Sequence, residues 1–252
     1  MRIGIAGITG RMGRLLAEEV ATAGHRLAGG LARSTPGFPD MEALARESDV
    51  VIDFTHASAA APHAAALAAS QTAWVLGTSG LTAADEAAVA RAAEQIPVVY
   101  AASFAPGIAV LLDLAERLGA ALSPAAYDAE IIEMHHRQKV DAPSGTAIAL
   151  GRAVAAGRGV RLEDVRESGR DGHTGPRKPG AIGFAALRGG QVVGEHTLLF
   201  ASASEHIALS HRAFDRRVYA TGAVQAAAWL AGRPPGLYGM AEVLGLRPPS
   251  AT

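Results

Sequence analysis

The N-terminal stretch MRIGIAGITGRMGRLL runs from a short apolar segment straight into three closely spaced glycines and on into a helix-forming segment. Few arrangements satisfy that order. A strand, a glycine-rich turn and a helix make the opening of a βαβ unit, and the turn brings free helix N–H groups to a place where they can hold an anion. Gly7, Gly10 and Gly13 allow the tight turn and the close backbone approach. Ile8, Thr9, Arg11 and Met12 complete the loop and first helical turn that would face a dinucleotide pyrophosphate. The pattern then repeats. Strands are expected at 2–6, 26–32, 49–54, 73–78 and 97–101, with helices at 11–23, 57–69 and 82–95 and a short one at 40–47. Such alternation predicts a parallel sheet covered by helices, a Rossmann-like domain.

In open sheets of this kind ligands bind beyond the carboxyl ends of the strands. The second strand ends in GGLARST. About 20 residues past the glycines, an acid usually holds the ribose diol of NAD. Here Ala32 takes that place and Arg33 follows, so no carboxylate repels a 2′-phosphate and a guanidinium can pair with one. NADPH is the expected coenzyme, with NADH second. Gly77, Thr78 and Ser79 lie at the end of the fourth strand, Ala101 ends the fifth, and Ala102, Ser103 and Phe104 follow it. These turns, with DFTHAS at 53–58, are expected to line the nicotinamide end.

Past residue 106 the pattern changes. A helix at 107–121 leads to a strand, DAEIIEMHH, and a helix after DAPSG. Three strand-like runs follow at 181–188, 191–201 and 204–213, and RGG between the first two signals a hairpin. This half reads as an α+β domain with a mixed or antiparallel sheet. The stretch 155–180 is rich in glycine, proline and charge without periodicity, and is expected to be a long loop. The stretch RRVYATGAVQAAAWLAG, 216–232, reads as helical again. The expected domains are 1–106 with 218–252 for the dinucleotide and 107–217 for the substrate.

The densest chemistry lies in EMHHRQKVDAPSGTA, 133–147. On a strand His135 and His136 face opposite sides, and Lys139 in the following turn can reach either. Ser144 caps the next helix, whose first N–H groups, at Gly145 and Thr146, make an anion cradle with Lys139. A metal site is not expected. The chain has no cysteine, no His-x-x-x-His spacing, and His196, His206 and His211 sit on strand-like runs as core or rim residues. The missing cysteine also removes acyl-thioester chemistry.

EMHHRQKVDAPSGTA resembles the signature of the 4-hydroxy-tetrahydrodipicolinate (dihydrodipicolinate) reductase family. GITGRMG, VIDFT, GTSG, GHTGPRKPGAIGF, VVGEHTLLF and YATGAV occur in the family's order, so the likeness spans the chain. The resemblance implies NAD(P)H-dependent reduction of a cyclic dicarboxylate in lysine and diaminopimelate biosynthesis. It also implies a homotetramer built through the second domain's sheet. His135 resembles the family's proton donor/acceptor and Lys139 its proton donor; His136, Lys139, Ser144, Gly145 and Thr146 resemble its substrate-binding set. There are departures: Ser103 and Ala105 replace an amide and a hydroxyl, DFTHAS lacks a proline, and the stretch from Arg33 to Asp53 is short.

Composition agrees with a small-molecule enzyme. A net charge of -1 argues against nucleic-acid or anionic-membrane binding, and no long apolar stretch or signal peptide interrupts the expectation of a cytoplasmic protein. Two other readings stay open on the residues alone. One is a dehydrogenase for an amino or semialdehyde acid; the other is a non-catalytic NADP-binding sensor or assembly factor.

Overall fold

The computed structural model describes residues 1–32 and 37–248. Arg33, the expected partner of a 2′-phosphate, lies outside the described residues. Met1–Pro106 with the segment from Arg216 onward forms one compact unit, and Gly107–Asp215 forms another.

The first unit alternates as its sequence suggests: β1 (Arg2–Ala6), α1 (Arg11–Thr22), β2 (Arg26–Leu31), α2 (Met41–Arg46), β3 (Val50–Asp53), α3 (Ala57–Ala69), β4 (Ala73–Leu76), α4 (Ala83–Ala93) and β5 (Pro97–Tyr100). The central strands VVID and AWVL are buried almost end to end, as strands covered on both faces must be. Local chemistry starts the helices. Asp40 caps α2, and Thr82 and Asp85 form a reciprocal capping box on α4.

The second unit holds α5 (Pro106–Ala121, its first residue in the other unit), β6 (Asp128–His135), α6 (Gly145–Gly157), α7 (Leu162–Val165), β7 (Arg166–Ser168), β8 (Ile182–Arg188), β9 (Gly194–Ala201) and β10 (His206–Ala213). The chain then returns to the first unit with α8 (Arg217–Leu230), β11 (Gly236–Tyr238) and α9 (Met240–Val243).

The first sheet is parallel throughout, in the order β11-β5-β4-β3-β1-β2. Its topological switch point falls between β1 and β3, beside the glycine turn. The stretch 216–232 is helical as expected, in α8, and beyond it β11 extends the sheet next to β5. Three residues are too few to show alternation in a sequence.

The second sheet is mixed, in the order β10-β9-β6-β8-β7. Two expectations are corrected here. RGG does not close a hairpin, because β6 lies between β8 and β9, parallel to one and antiparallel to the other. A turn signal marks chain reversal, not which strand becomes the neighbour. Nor is 155–180 a single loop. It contains the end of α6, the short α7, and β7 paired parallel to β8. Arg177 fastens the remainder to the start of β6. Its guanidinium donates to Asp128 (2.8 Å), Glu130 (2.8 Å) and the carbonyls of Ala129 (2.9 Å) and Ala181 (2.6 Å).

Candidate active site

Alternation along β6 sets the site. Ala129, Ile131, Glu133 and His135 are buried on one face, while Ile132 on the other is exposed. Register carries the same face across the sheet. Ile131 lies opposite Leu198, Glu133 opposite His196, and His135 opposite Arg188; His196 in turn lies opposite His211. One end of this face is apolar, with Ile131, Phe184, Leu198 and Phe200 packed against Leu150 and Val154 of α6. The other end gathers a carboxylate, three imidazoles and a guanidinium. A sheet needs no such polar end for stability, since every buried polar group there has to be paired.

Glu133 is the centre of that pairing, at 1% exposure. Arg188 donates to both carboxylate oxygens (2.8 and 2.9 Å), the Ser144 N–H donates at 3.1 Å, and His135 Nδ1 lies 2.5 Å away. Burial pushes the Glu133 carboxyl up, but hydrogen bonds and charge from Arg188 and His135 outweigh it and hold it below the usual carboxylate range. Burial pushes the His135 imidazole down, and the Glu133 carboxylate only partly restores it.

Ser144 caps α6, accepting from the Ala147 N–H at 3.2 Å, and its hydroxyl lies 3.1 Å from His196 Nε2. The His196 and His135 rings meet edge to face at 5.1 Å. His196 is buried, and that burial together with the His135 charge pushes its imidazole down to about 3. The sign of its contribution follows. Unfolded, the ring protonates near pH ~6.5; folded, it stays neutral until about 3. Its neutral form therefore supports the fold above ~6.5, and stability is lost as pH falls from there, by up to about 1.4 kcal/mol per pH unit. Glu133 acts in the same direction, because its lowered value leaves stability to be lost on acidification. Thermal midpoints should fall between pH 7 and 4, and His196→Gln should flatten that slope. An unchanged slope would mean that His196 does not carry it.

The expected cluster assembles in part. Lys139 Nζ lies 2.8 and 2.9 Å from the two oxygens of Asp141. His136, past the strand end, is half-buried with Nδ1 enclosed and without a hydrogen-bond partner among the described residues. Gly145 and Thr146 open α6, where first-turn N–H groups have no partner inside the helix. Glu133 and Arg188 were not singled out in the sequence. Glu133 could have been, since alternation puts it on the face of Ile131 and His135. Nothing local marks Arg188, and His196 reads only as a core or rim histidine.

In the first unit, Gly7 (φ +83°) turns the chain out of β1, and a Cβ there would come within 2.8 Å of the Phe54 carbonyl oxygen. At Gly13 a Cβ would meet the Gly7 carbonyl oxygen at 2.1 Å, so the helix approaches the turn as only glycine permits. Gly10 caps α1 with no side-chain bond, leaving the first amides, at Arg11 and Met12 among others, open to an anion. This cradle fits a pyrophosphate. Gly7 and Ile8 donate to the Leu31 carbonyl (2.9 and 3.3 Å), which ties the turn, with Thr9, to the strand end at Ala32. Thr78 is buried and accepts from the Thr55 N–H at 3.2 Å, joining the ends of β3 and β4 near Ser79. Gly77 lies against the Phe54 ring, where a Cβ would come within 2.2 Å. Phe104 packs on Phe54 with ring centres 5.6 Å apart, so the stretch Ala101, Ala102, Ser103 and Phe104 offers backbone and Ser103 rather than the Phe104 ring. Ser103 Oγ accepts from the Ala105 N–H at 3.3 Å.

Residues 1–104 match the family model described as dihydrodipicolinate reductase, N-terminus, and 107–244 match dihydrodipicolinate reductase, C-terminus. The chain is 64% identical over 256 residues to 4-hydroxy-tetrahydrodipicolinate reductase of Granulibacter bethesdensis, covering 98% of each chain. It is 64% identical over 246 residues to the enzyme of the same name from Acidiphilium cryptum, again covering 98% of each. Among solved structures, dipicolinate-bound dihydrodipicolinate reductase from a Paenisporosarcina species aligns with TM-score 0.74 and 25% identity, covering 96% of this chain and 98% of that one. Both halves of the fold and nearly the full length are thus accounted for, and the chain belongs to the dihydrodipicolinate reductase family.

Proposed function

We propose that His135 and Lys139 handle protons, and that His136, Lys139, Ser144, Gly145 and Thr146 bind the substrate, in the reaction of this family. The chain is an NAD(P)H-dependent oxidoreductase that reduces 4-hydroxy-tetrahydrodipicolinate to tetrahydrodipicolinate in lysine and diaminopimelate biosynthesis. The observation that carries the assignment is the polar end of the second sheet's inner face, where His135 stands beside an anion-binding helix start.

A bound nicotinamide coenzyme supplies the hydride. Everything else falls to side chains and amides of this chain. The Gly7–Met12 turn holds the pyrophosphate through its free N–H groups. The Lys139 ammonium pairs with a substrate carboxylate, taking the place that Asp141 holds at Nζ, and delivers a proton to the carbon left electron-rich beside the reduced position. His135 exchanges a proton with the ring. The amides of Gly145 and Thr146 and the Thr146 hydroxyl orient the second carboxylate, so the rate depends on positioning as much as on acid strength. A small dicarboxylate such as the dipicolinate named with the Paenisporosarcina enzyme suits this pair of anion sites. Assembly through the open face of the second sheet is supported by Ile132 and Leu187, which stay 39% and 52% exposed there. No helix among the described residues is long and apolar enough to cross a membrane.

NADPH is the preferred donor on this reading, with NADH accepted less well. Ala32 removes the acid that would repel a 2′-phosphate, and Arg33 supplies a charge. A hydrogen bond to a charged group contributes roughly 1.5–3 kcal/mol, or about tenfold to over a hundredfold in affinity. Oxidation of NADPH and NADH is followed with substrate made fresh from pyruvate and aspartate semialdehyde. Arg33→Ala should raise KM for NADPH and leave NADH nearly unchanged, and Ala32→Glu should shift preference toward NADH. Equal use of both coenzymes by the wild type, unaltered in Arg33→Ala, would show that this strand end does not read the 2′ position.

A further inference from the structure

We infer that Glu133 is a positioning residue, whose carboxylate, clamped by Arg188, fixes the tautomer and orientation of the His135 ring and couples that ring to the anion-binding start of α6. The inference rests on the assignment of proton transfer to His135 and extends it to a residue two positions earlier.

An ionised carboxylate only accepts hydrogen bonds. Three donors already face Glu133: two guanidinium N–H groups and the Ser144 amide. These hold it ionised, so the fourth contact, His135 Nδ1 at 2.5 Å, has to be a protonated nitrogen donating to Oε2. Nε2 is then the nitrogen that takes a proton from the substrate or returns it. The same carboxylate accepts from Ser144 through Oε1, and Arg188 also donates to the Asp141 carbonyl at 2.6 Å. Strand β6, strand β8, the Lys139 turn and the first residue before α6 therefore meet at one buried carboxylate. A displacement there moves the proton-handling ring and the carboxylate cradle together. Arg188 enforces the geometry because its fork contacts both oxygens and leaves the carboxylate a single plane.

The charged and titratable groups around the ring are Glu133 on β6, Arg188 on β8, His196 on β9 and Lys139 in the turn, with His211 of β10 facing His196. Only Glu133 favours the protonated ring among those neighbours with resolved influence on it, while Lys139 and Arg188 oppose it. Removing the Glu133 charge should therefore lower the pH at which His135 protonates.

The test combines kinetics with ring 15N spectra of histidine-labelled full-length protein, the His135 signals being those lost in His135→Gln. In the wild type the neutral His135 ring should carry its proton on Nδ1. In Glu133→Gln that preference should weaken, kcat should fall at least about tenfold, KM for NADPH should hold, and the His135 limb of the pH–rate profile should move to lower pH. A wild-type ring protonated on Nε2 overturns the inference. So does a folded Glu133→Gln enzyme with kcat within twofold of wild type, since a purely structural residue would lower only the thermal midpoint. If Glu133→Gln does not fold, the double variant Glu133→Gln/Arg188→Met removes both members of the buried pair and is read in the same way, and the wild-type spectrum alone still decides the tautomer. The failure of this inference is distinct from that of the underlying assignment. Full turnover in His135→Gln would overturn the role of His135 itself, whereas a dead His135→Gln beside an active Glu133→Gln would overturn only the role of Glu133.

Discussion

Arg188→Ala should destabilise the second unit by about 3–5 kcal/mol, the cost of leaving a buried charge without its partner. Glu133 is 1% exposed and takes two of its hydrogen bonds from Arg188, so truncation strands a carboxylate that water cannot easily reach. The carbonyls of Leu187 and Asp141, each 2.6 Å from the guanidinium, lose a donor as well. Arg188→Lys keeps the charge but not the fork, and should fall between wild type and alanine. Both tryptophans, Trp74 and Trp229, lie in the first unit, so tryptophan fluorescence would not report the event. Urea unfolding followed by far-ultraviolet circular dichroism, with hydrogen exchange along β6 and β8, measures it directly. A loss below about 1 kcal/mol, the scale of an exposed pair, would mean that the clamp is not the anchor of this sheet end.

His135→Gln and Lys139→Ala should each cut turnover by roughly 10²-fold or more, the usual effect of removing a positioned acid or base. NADPH binding should survive in both, because the dinucleotide cradle is built from first-unit amides far along the chain. The two variants should differ in substrate affinity. Lys139 serves as a carboxylate partner as well as an acid, so its loss should raise KM for the dicarboxylate along with lowering kcat. His135→Gln should act mainly on kcat. Steady-state kinetics with substrate varied at saturating NADPH separates the two, and near-wild-type turnover in either variant would remove that residue from the proton path.

Much of this was decided by local chemistry. Strand, glycine turn and helix at 2–22 follow one another because a glycine at φ +83° turns the chain out of β1 and a helix can start there without a side-chain cap. The alternation of β6 is equally local. It places Ile131, Glu133 and His135 on one face before any neighbour is known, and Ser144 announces the helix that follows. The density of acid, base and anion-binding groups in 133–147 was therefore legible, as was the family likeness that spans the chain.

Pairing between distant strands was not legible, because register depends on which strand lies alongside, and no local pattern states that. RGG signalled a reversal, yet β6 enters between the two runs it joins, since a strand with one fully buried face can be paired on both edges. The three-residue β7 and β11 have no period to detect and exist because an existing edge offers them hydrogen bonds. In the sequence Arg188 is only the last residue of the strand-like run 181–188. Only the register that sets it opposite His135 brings its guanidinium onto Glu133, 55 residues away, and turns three unrelated side chains into one buried network. Sequence determined which chemistry this chain can do and which strand and helix carry it; tertiary structure decided which carboxylate holds the histidine, because a buried charge is stable only where the fold brings its partners.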